Sequence, residues 1–133
     1  MKLDHIGIAV KDLEESMRFY GEVLGFKVNP PEEIPDRQLR ISFVDVGGGA
    51  SIELLFPTDP GSAVAKFLEK RGPGIHHLCY RVDDVNAKLA DLKEAGSRLI
   101  DSEARPGAHN TLVAFIHPAS AGGVLTELCQ DAP

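Results

Sequence analysis

Two segments of this chain, 72 residues apart, carry nearly the same pattern of apolar and polar side chains. The first is residues 4–13, with sequence DHIGIAVKDL, and the second is residues 76–85, with sequence HHLCYRVDDV. His5 of the first segment corresponds to His77 of the second. An internal repeat indicates that the chain is built from two similar modules, neither of which buries a complete core alone.

A second pair of matching residues follows the histidines. About fifty residues after each histidine comes an apolar run with one embedded carboxylate, Glu53 in the first module and Glu127 in the second. In an extended strand, alternation places each histidine and each glutamate on the face opposite its large aliphatic neighbours. A carboxylate in the middle of such a strand is costly unless it is paired or bound to a metal.

Imidazole and carboxylate groups are ligands of divalent metal ions. The duplicated pattern therefore predicts one metal site formed by His5, Glu53, His77 and Glu127. The alternative is structural: each glutamate pairs with an Arg or Lys across a sheet, and each histidine is an ordinary strand residue. Because the residues recur as two equivalent pairs, the pattern favours metal binding.

Each module has the sequence pattern of a strand, a helix and three further strands. Helices are predicted at 12–24 and 84–96, where Asp12 and Asp84 act as N-caps and apolar residues follow at helical spacing. The later strands are predicted near 26–30, 39–46, 50–56, 97–102, 111–117 and 123–129. The helix residues expected to be mostly buried are Leu13, Met17, Tyr20, Val85, Leu89 and Leu92.

These elements predict an α+β fold. Two tandem βαβββ modules would form one curved mixed sheet around a metal site, with the helices on its convex side. We expect a single domain over residues 1–133, with module one at about 1–56 and module two at about 75–130. We expect a linker with a short helix at about 57–74.

Composition excludes several classes of partner. The net charge of −6 disfavours binding to nucleic acid or to an anionic membrane, because both need a cationic surface. The early apolar stretch contains Asp4 and His5, which argues against a signal peptide or a membrane span and for a cytoplasmic location. Cys79 and Cys129 lie in strand-like runs, so we expect reduced, buried thiols.

The duplicated module that opens with DHIGIAV resembles the vicinal oxygen chelate superfamily, which includes glyoxalase I, extradiol dioxygenases and bleomycin-resistance proteins. Within it, the sequence is most similar to the methylmalonyl-CoA epimerase family. The segments that carry this similarity are IELL before Pro57, VAKFL at 64–68, GIHH at 74–77, VDDV at 82–85, VAFIHP at 113–118 and GGVLTEL at 122–128. Together they span nearly the whole chain.

The resemblance implies metal-dependent epimerisation of (2R)- and (2S)-methylmalonyl-CoA, by 1,1-proton transfer through a metal-stabilised enolate. It carries the family's metal ligands over to His5, Glu53, His77 and Glu127. It favours Co²⁺, one ion per chain, while Mn²⁺, Ni²⁺ and Zn²⁺ also suit such ligands. It further implies an acyl-CoA substrate and a homodimer.

Epimerisation needs proton transfer on both faces of the reacting carbon, and therefore two acid/base groups. The family resemblance implies that Glu127 is both a ligand and a candidate base. Some relatives have a glutamate early in the third strand of the module, where this chain has Ile41. Glu53 is therefore the second candidate, acting directly or through water. The alternative is that Glu53 is a ligand only.

Two other functions compete with the epimerase interpretation. A glyoxalase-type isomerase or lyase would use a similar His/Glu set, but the motifs of that enzyme are absent from this sequence. A non-enzymatic drug- or ligand-binding module of the same fold would lack a full set of metal ligands. The four residues His5, Glu53, His77 and Glu127 therefore argue against the binding module.

Overall fold

The computed structural model describes all 133 residues. The first half of the chain contains β1 (Lys2–Ala9), α1 (Leu13–Arg18), β2 (Lys27–Val28), β3 (Glu32–Ile34), β4 (Leu39–Asp45) and β5 (Ser51–Pro57). The remainder contains α2 (Ala63–Arg71), β6 (Gly74–Arg81), α3 (Val85–Glu94), β7 (Arg105–Gly107), β8 (Thr111–Ile116) and β9 (Thr126–Asp131). None of these helices is long and apolar enough to cross a membrane.

The chain divides into two compact units. The first unit is His5–His76, and the second unit consists of Met1–Asp4 together with His77–Pro133. Each unit has a mixed sheet, so the predicted α+β class and the repeated βαβββ order are confirmed. The short strand β3 is an addition to the predicted order.

In the first unit, β4 is the central antiparallel strand. It pairs with β2, β3 and β5, and β5 pairs in parallel with β1. In this register Glu53 of β5 lies opposite Gly7 of β1 on one side and opposite Phe43 of β4 on the other. The parallel pairing therefore brings the histidine strand next to the glutamate strand.

Two apolar clusters stabilise the first unit. One lies under α1 and contains Val10, Leu13, Val44 and Leu54. The other lies under α2 and contains Ala9, Leu39, Ile41, Leu55 and Val64. Because successive strand residues point to opposite faces, the second cluster occupies the same face as Glu53, at the end of the sheet that α2 covers.

The second unit repeats the arrangement of strands. β9 pairs in parallel with β6 and antiparallel with β8, which in turn pairs with β7. Helix α3 covers one face of this sheet through a cluster of Val82, Val85, Leu89, Ala114, Ile116 and Leu128. Glu127 lies opposite Cys79 of β6 and opposite Phe115 of β8.

The predicted helix starts are confirmed. The carboxylate of Asp12 accepts a hydrogen bond from the Glu15 N–H at 3.0 Å, and that of Asp84 accepts one from the Ala87 N–H at 3.0 Å.

Of the six predicted core positions, Leu13, Val85 and Leu89 are buried, whereas Met17, Tyr20 and Leu92 are only partly buried. The α-helical geometry of α1 ends at Arg18, and Phe19–Val23 forms a π-helical turn. The wider turn interrupts the α-helical spacing of Leu13, Met17, Tyr20 and Leu24, and Leu24 is 50% exposed.

The prediction of a strand near 97–102 is wrong. The structure has a strand at Arg105–Gly107 instead, and only Leu99 makes an isolated bridge, to Ile116. Asp101 explains the difference, because its carboxylate accepts the Phe115 N–H at 2.8 Å. The Asp101 side chain thus binds the backbone N–H of Phe115, which a neighbouring strand would otherwise have used for its own backbone hydrogen bond.

The buried side chain of Leu89 leads to a prediction about stability. Leu89 is 2% exposed within the α3 cluster, so Leu89→Ala removes apolar contacts and leaves a cavity. We expect the free energy of unfolding to fall by about 3 kcal/mol. Urea denaturation measures this change. Val23→Ala is the control: Val23 is 70% exposed, and its replacement should change the same quantity by less than about 0.5 kcal/mol. Equal effects of the two substitutions would contradict the described core.

Candidate metal centre

The first unit holds one histidine–glutamate pair. His5 Nε2 lies 3.5 Å from Glu53 Oε1, and the two side chains are 11% and 9% exposed. His5 is on β1 and Glu53 on β5, and the residue opposite Glu53 is Gly7, two positions after His5. Since residues two apart on a strand share a face, both side chains project from the same side of the sheet.

The second unit holds the equivalent pair. His77 Nε2 lies 3.5 Å from Glu127 Oε1, and these side chains are 6% and 5% exposed. The residue opposite Glu127 is Cys79, again two positions after the histidine. The repeat in the sequence is therefore matched by a repeat in local geometry.

A phenylalanine completes each pair. The rings of Phe43 and His5 form a T-shaped contact with a centroid separation of 6.1 Å, and Phe115 and His77 form the same contact at the same separation. Each phenylalanine also lies directly opposite the glutamate of its unit across a strand pair. These two residues were not predicted to belong to the site, although they show the same 72-residue offset as the histidines. The T-shaped arrangement of both contacts is one that aromatic rings favour.

The chemistry of these donors fits a divalent metal ion. Two buried carboxylates carry two negative charges, and burial of such charges is costly without a compensating cation. The two imidazoles add borderline nitrogen donors, which suit Zn²⁺, Co²⁺, Ni²⁺ or Mn²⁺ better than Ca²⁺. That the four residues form one site remains a prediction from the sequence.

Neighbouring polar residues in the second unit are occupied by other interactions. Arg81 donates to Asp4 Oδ1 and to Asp131 Oδ1, each at 2.9 Å, so Asp4 is held by a guanidinium. Cys79 and Cys129 are free, buried thiols, as expected. A hydrogen bond to Cys129, together with burial, raises the pKa of Cys79 above its ordinary value. Both effects favour the protonated thiol of Cys79.

Ile41 and His76 are not members of either histidine–glutamate pair. Ile41 is 1% exposed and packs in the apolar cluster under α2, so that position has no proton-carrying group. His76, next to His77 in sequence, contacts the ring of Phe67 at a centroid separation of 5.0 Å. Its side chain faces α2, on which Phe67 lies.

The chain is similar to known proteins at two levels, a superfamily and a family within it. The chain matches a family model described as the Glyoxalase/Bleomycin resistance protein/Dioxygenase superfamily over residues 4–115, and it belongs to this superfamily. It is 44% identical over 131 residues to an ethylmalonyl-CoA/methylmalonyl-CoA epimerase from Cereibacter sphaeroides, with 97% of each chain covered. Within the superfamily, the chain belongs to the methylmalonyl-CoA epimerase family.

Solved structures agree with this assignment. The structure of methylmalonyl-CoA epimerase from Mycobacterium tuberculosis is similar to this chain with a TM-score of 0.90 and 44% identity, over 99% of this chain and 89% of that one. A variant of the Streptomyces coelicolor enzyme, in complex with 2-nitronate-propionyl-CoA, has a TM-score of 0.89 and 37% identity. That comparison covers 99% of this chain and 95% of the Streptomyces chain.

Proposed function

We propose that this chain is an epimerase that interconverts (2R)- and (2S)-methylmalonyl-CoA by 1,1-proton transfer. The observation that carries the proposal is the duplicated, buried histidine–glutamate pair in a chain that is 44% identical, over nearly its full length, to a named epimerase of this substrate. The complex of the Streptomyces relative with 2-nitronate-propionyl-CoA supports an acyl-CoA ligand.

We further propose that His5, Glu53, His77 and Glu127 hold one divalent ion per chain, with Co²⁺ favoured. The support is the equivalence of the two pairs, their burial and the balance between two carboxylates and a 2+ charge. When bound, the ion supplies Lewis-acid stabilisation of the negative charge that develops on a carbonyl oxygen of the substrate, worth several kcal/mol.

The protein's own side chains then carry the protons. The hydrogen on the carbon between the thioester and the carboxylate is acidified by both groups. Glu127 takes this proton from one face, and a second group must deliver a proton to the other face. Glu53 is a candidate for this role, directly or through water. The alternative is that Glu53 is a ligand only. Phe43 and Phe115 pack against the two imidazoles.

The experiment that tests the function is an isotope-exchange assay. Purified protein is incubated in D₂O with (2R)- or (2S)-methylmalonyl-CoA, with and without a chelator. We expect each isomer to incorporate deuterium at the α-carbon and to invert, and we expect the chelator to abolish both processes. A protein that binds the substrate but exchanges no proton would be a ligand-binding module. Turnover of a glutathione hemithioacetal instead would indicate a glyoxalase-type enzyme.

We propose in addition that the protein acts as a homodimer in the cytoplasm. The location is supported by the bacterial relative from Cereibacter, which this chain matches over 97% of the relative's length. The dimer is supported by the resemblance to the vicinal oxygen chelate superfamily, in which such modules pair back to back. The net charge of −6 supports the expectation that the partners do not include nucleic acid.

A further inference from the structure

The strand face that carries His5 and Glu53 holds a further carboxylate, on β3. Strand β3 pairs antiparallel with β4, and Glu32 lies directly opposite Ile41. Ile41 lies opposite Leu55 of β5, two positions from Glu53. Directly opposite residues in an antiparallel pair, and residues two apart on a strand, project from the same face. Glu32 therefore shares a face with Glu53.

The position of Glu32 along this face lies between an apolar end and a polar end. Ile34, two residues later on β3, faces the cluster of Leu39 and Val64 under α2. In the other direction along β4, the next residue of this face after Ile41 is Phe43, which contacts His5. Strand spacings place the backbones of Glu32 and Glu53 roughly 12 Å apart. A small acyl group and two extended glutamate side chains span such a distance.

Two other carboxylates of the first unit have structural roles. Glu33 projects from the opposite face of β3, where its carboxylate binds Arg40 at 3.1 Å. Asp45, at the exposed end of β4, accepts the Gly47 N–H at 2.9 Å and stabilises the following turn. Glu32 differs from Glu33 because it lies on the face of the histidine–glutamate pair, and from Asp45, which is exposed, because it is partly buried.

We propose that Glu32 is the second proton carrier of the reaction, a role that rests on the proposed epimerase function. In one direction, the Glu32 carboxylate removes the α-proton: the C–H bond breaks, an O–H bond forms on Glu32, and the electron pair is delocalised into the adjacent carbonyl groups. Protonated Glu127 then donates its proton to the opposite face of the carbon. The reverse direction exchanges these roles, and no oxidant, reductant or further reactant is required. Glu53 is then a ligand only.

The test is Glu32→Gln, with Glu33→Gln as the matched control on the neighbouring residue of the opposite face. Glutamine keeps the shape of the side chain but has no basic oxygen. In D₂O, we expect Glu32→Gln to slow inversion of both isomers at least about a hundredfold, with metal content unchanged. The isomer served by Glu127 should still exchange its α-proton with retention of configuration, while the other isomer should not exchange. Glu33→Gln should match the parent in all these measurements.

Three results would contradict the proposed role of Glu32. Inversion of both isomers at the parent rate by Glu32→Gln would overturn the proposed role of Glu32. Equal loss of exchange from both isomers would also overturn it, because a proton carrier for one face affects one isomer selectively. If the unmodified protein exchanges neither isomer, the proposed function itself fails, and the role of Glu32 fails with it.

Discussion

His77→Ala should lower the rate of epimerisation by about 10³-fold and reduce the metal content below one ion per chain. The substitution removes a nitrogen donor and leaves the carboxylate of Glu127, which is 4% exposed, without its imidazole neighbour. Loss of several kcal/mol of charge stabilisation corresponds to a rate decrease of this size. Elemental analysis of the purified variant and its initial rate with each isomer measure the two effects.

His76→Ala is the matched control for His77→Ala. His76 is the preceding residue, and its ring contacts Phe67 of α2. We expect this variant to retain metal at the parent stoichiometry. His5→Ala tests the equivalent pair of the first unit and should resemble His77→Ala. If His5→Ala and His77→Ala both bind as much metal as the parent, the ligand assignment is wrong.

Glu127→Gln should lower the rate of epimerisation by about 10² to 10⁴-fold while the protein keeps its metal. Glutamine retains an oxygen donor and a similar shape but cannot accept a proton, so this substitution separates proton transfer from coordination. The magnitude is that of general acid/base catalysis by a positioned side chain. Deuterium incorporation from each isomer and elemental analysis report the two roles independently.

Glu53→Gln is the counterpart of Glu127→Gln in the other pair. If Glu32 is the second proton carrier, Glu53→Gln should retain metal and epimerise within about tenfold of the parent rate, well short of the loss of a catalytic acid/base group. A hundredfold loss with metal retained would instead make Glu53 the second carrier. A Glu127→Gln variant that inverts both isomers at the parent rate would exclude Glu127 as a proton carrier.

The residues of the two pairs could be chosen from the sequence because their signal is local and repeated. Alternation with a period of two determines which side chains share a strand face, and it requires no knowledge of the partner strand. The 72-residue offset then shows that His5 corresponds to His77, and a carboxylate about fifty residues after each histidine completes the two pairs. The same local logic predicted the N-caps Asp12 and Asp84, whose side chains bond to N–H groups three residues away.

Local sequence patterns gave wrong strand predictions in two places, one where a side chain binds a backbone N–H group of a strand and one where prolines flank a short strand. The strand expected near 97–102 is absent because the Asp101 carboxylate occupies a backbone donor of β8. The strand Glu32–Ile34 escaped prediction because Pro30, Pro31 and Pro35 surround a run of only three residues. Proline is typical of turns and strand ends, so these flanking residues hide a short edge strand.

The sequence by itself determined the α+β class, the repeated order of elements and the identity of the histidine and glutamate pairs. Those features depend on residue type and on spacing along the chain. The tertiary structure alone decided that Phe43 and Phe115 contact the imidazoles, that Ile41 packs under α2, and that Glu32 shares the face of Glu53. These relations depend on which strands pair and in what register, and long-range backbone hydrogen bonds set that register between residues distant in sequence.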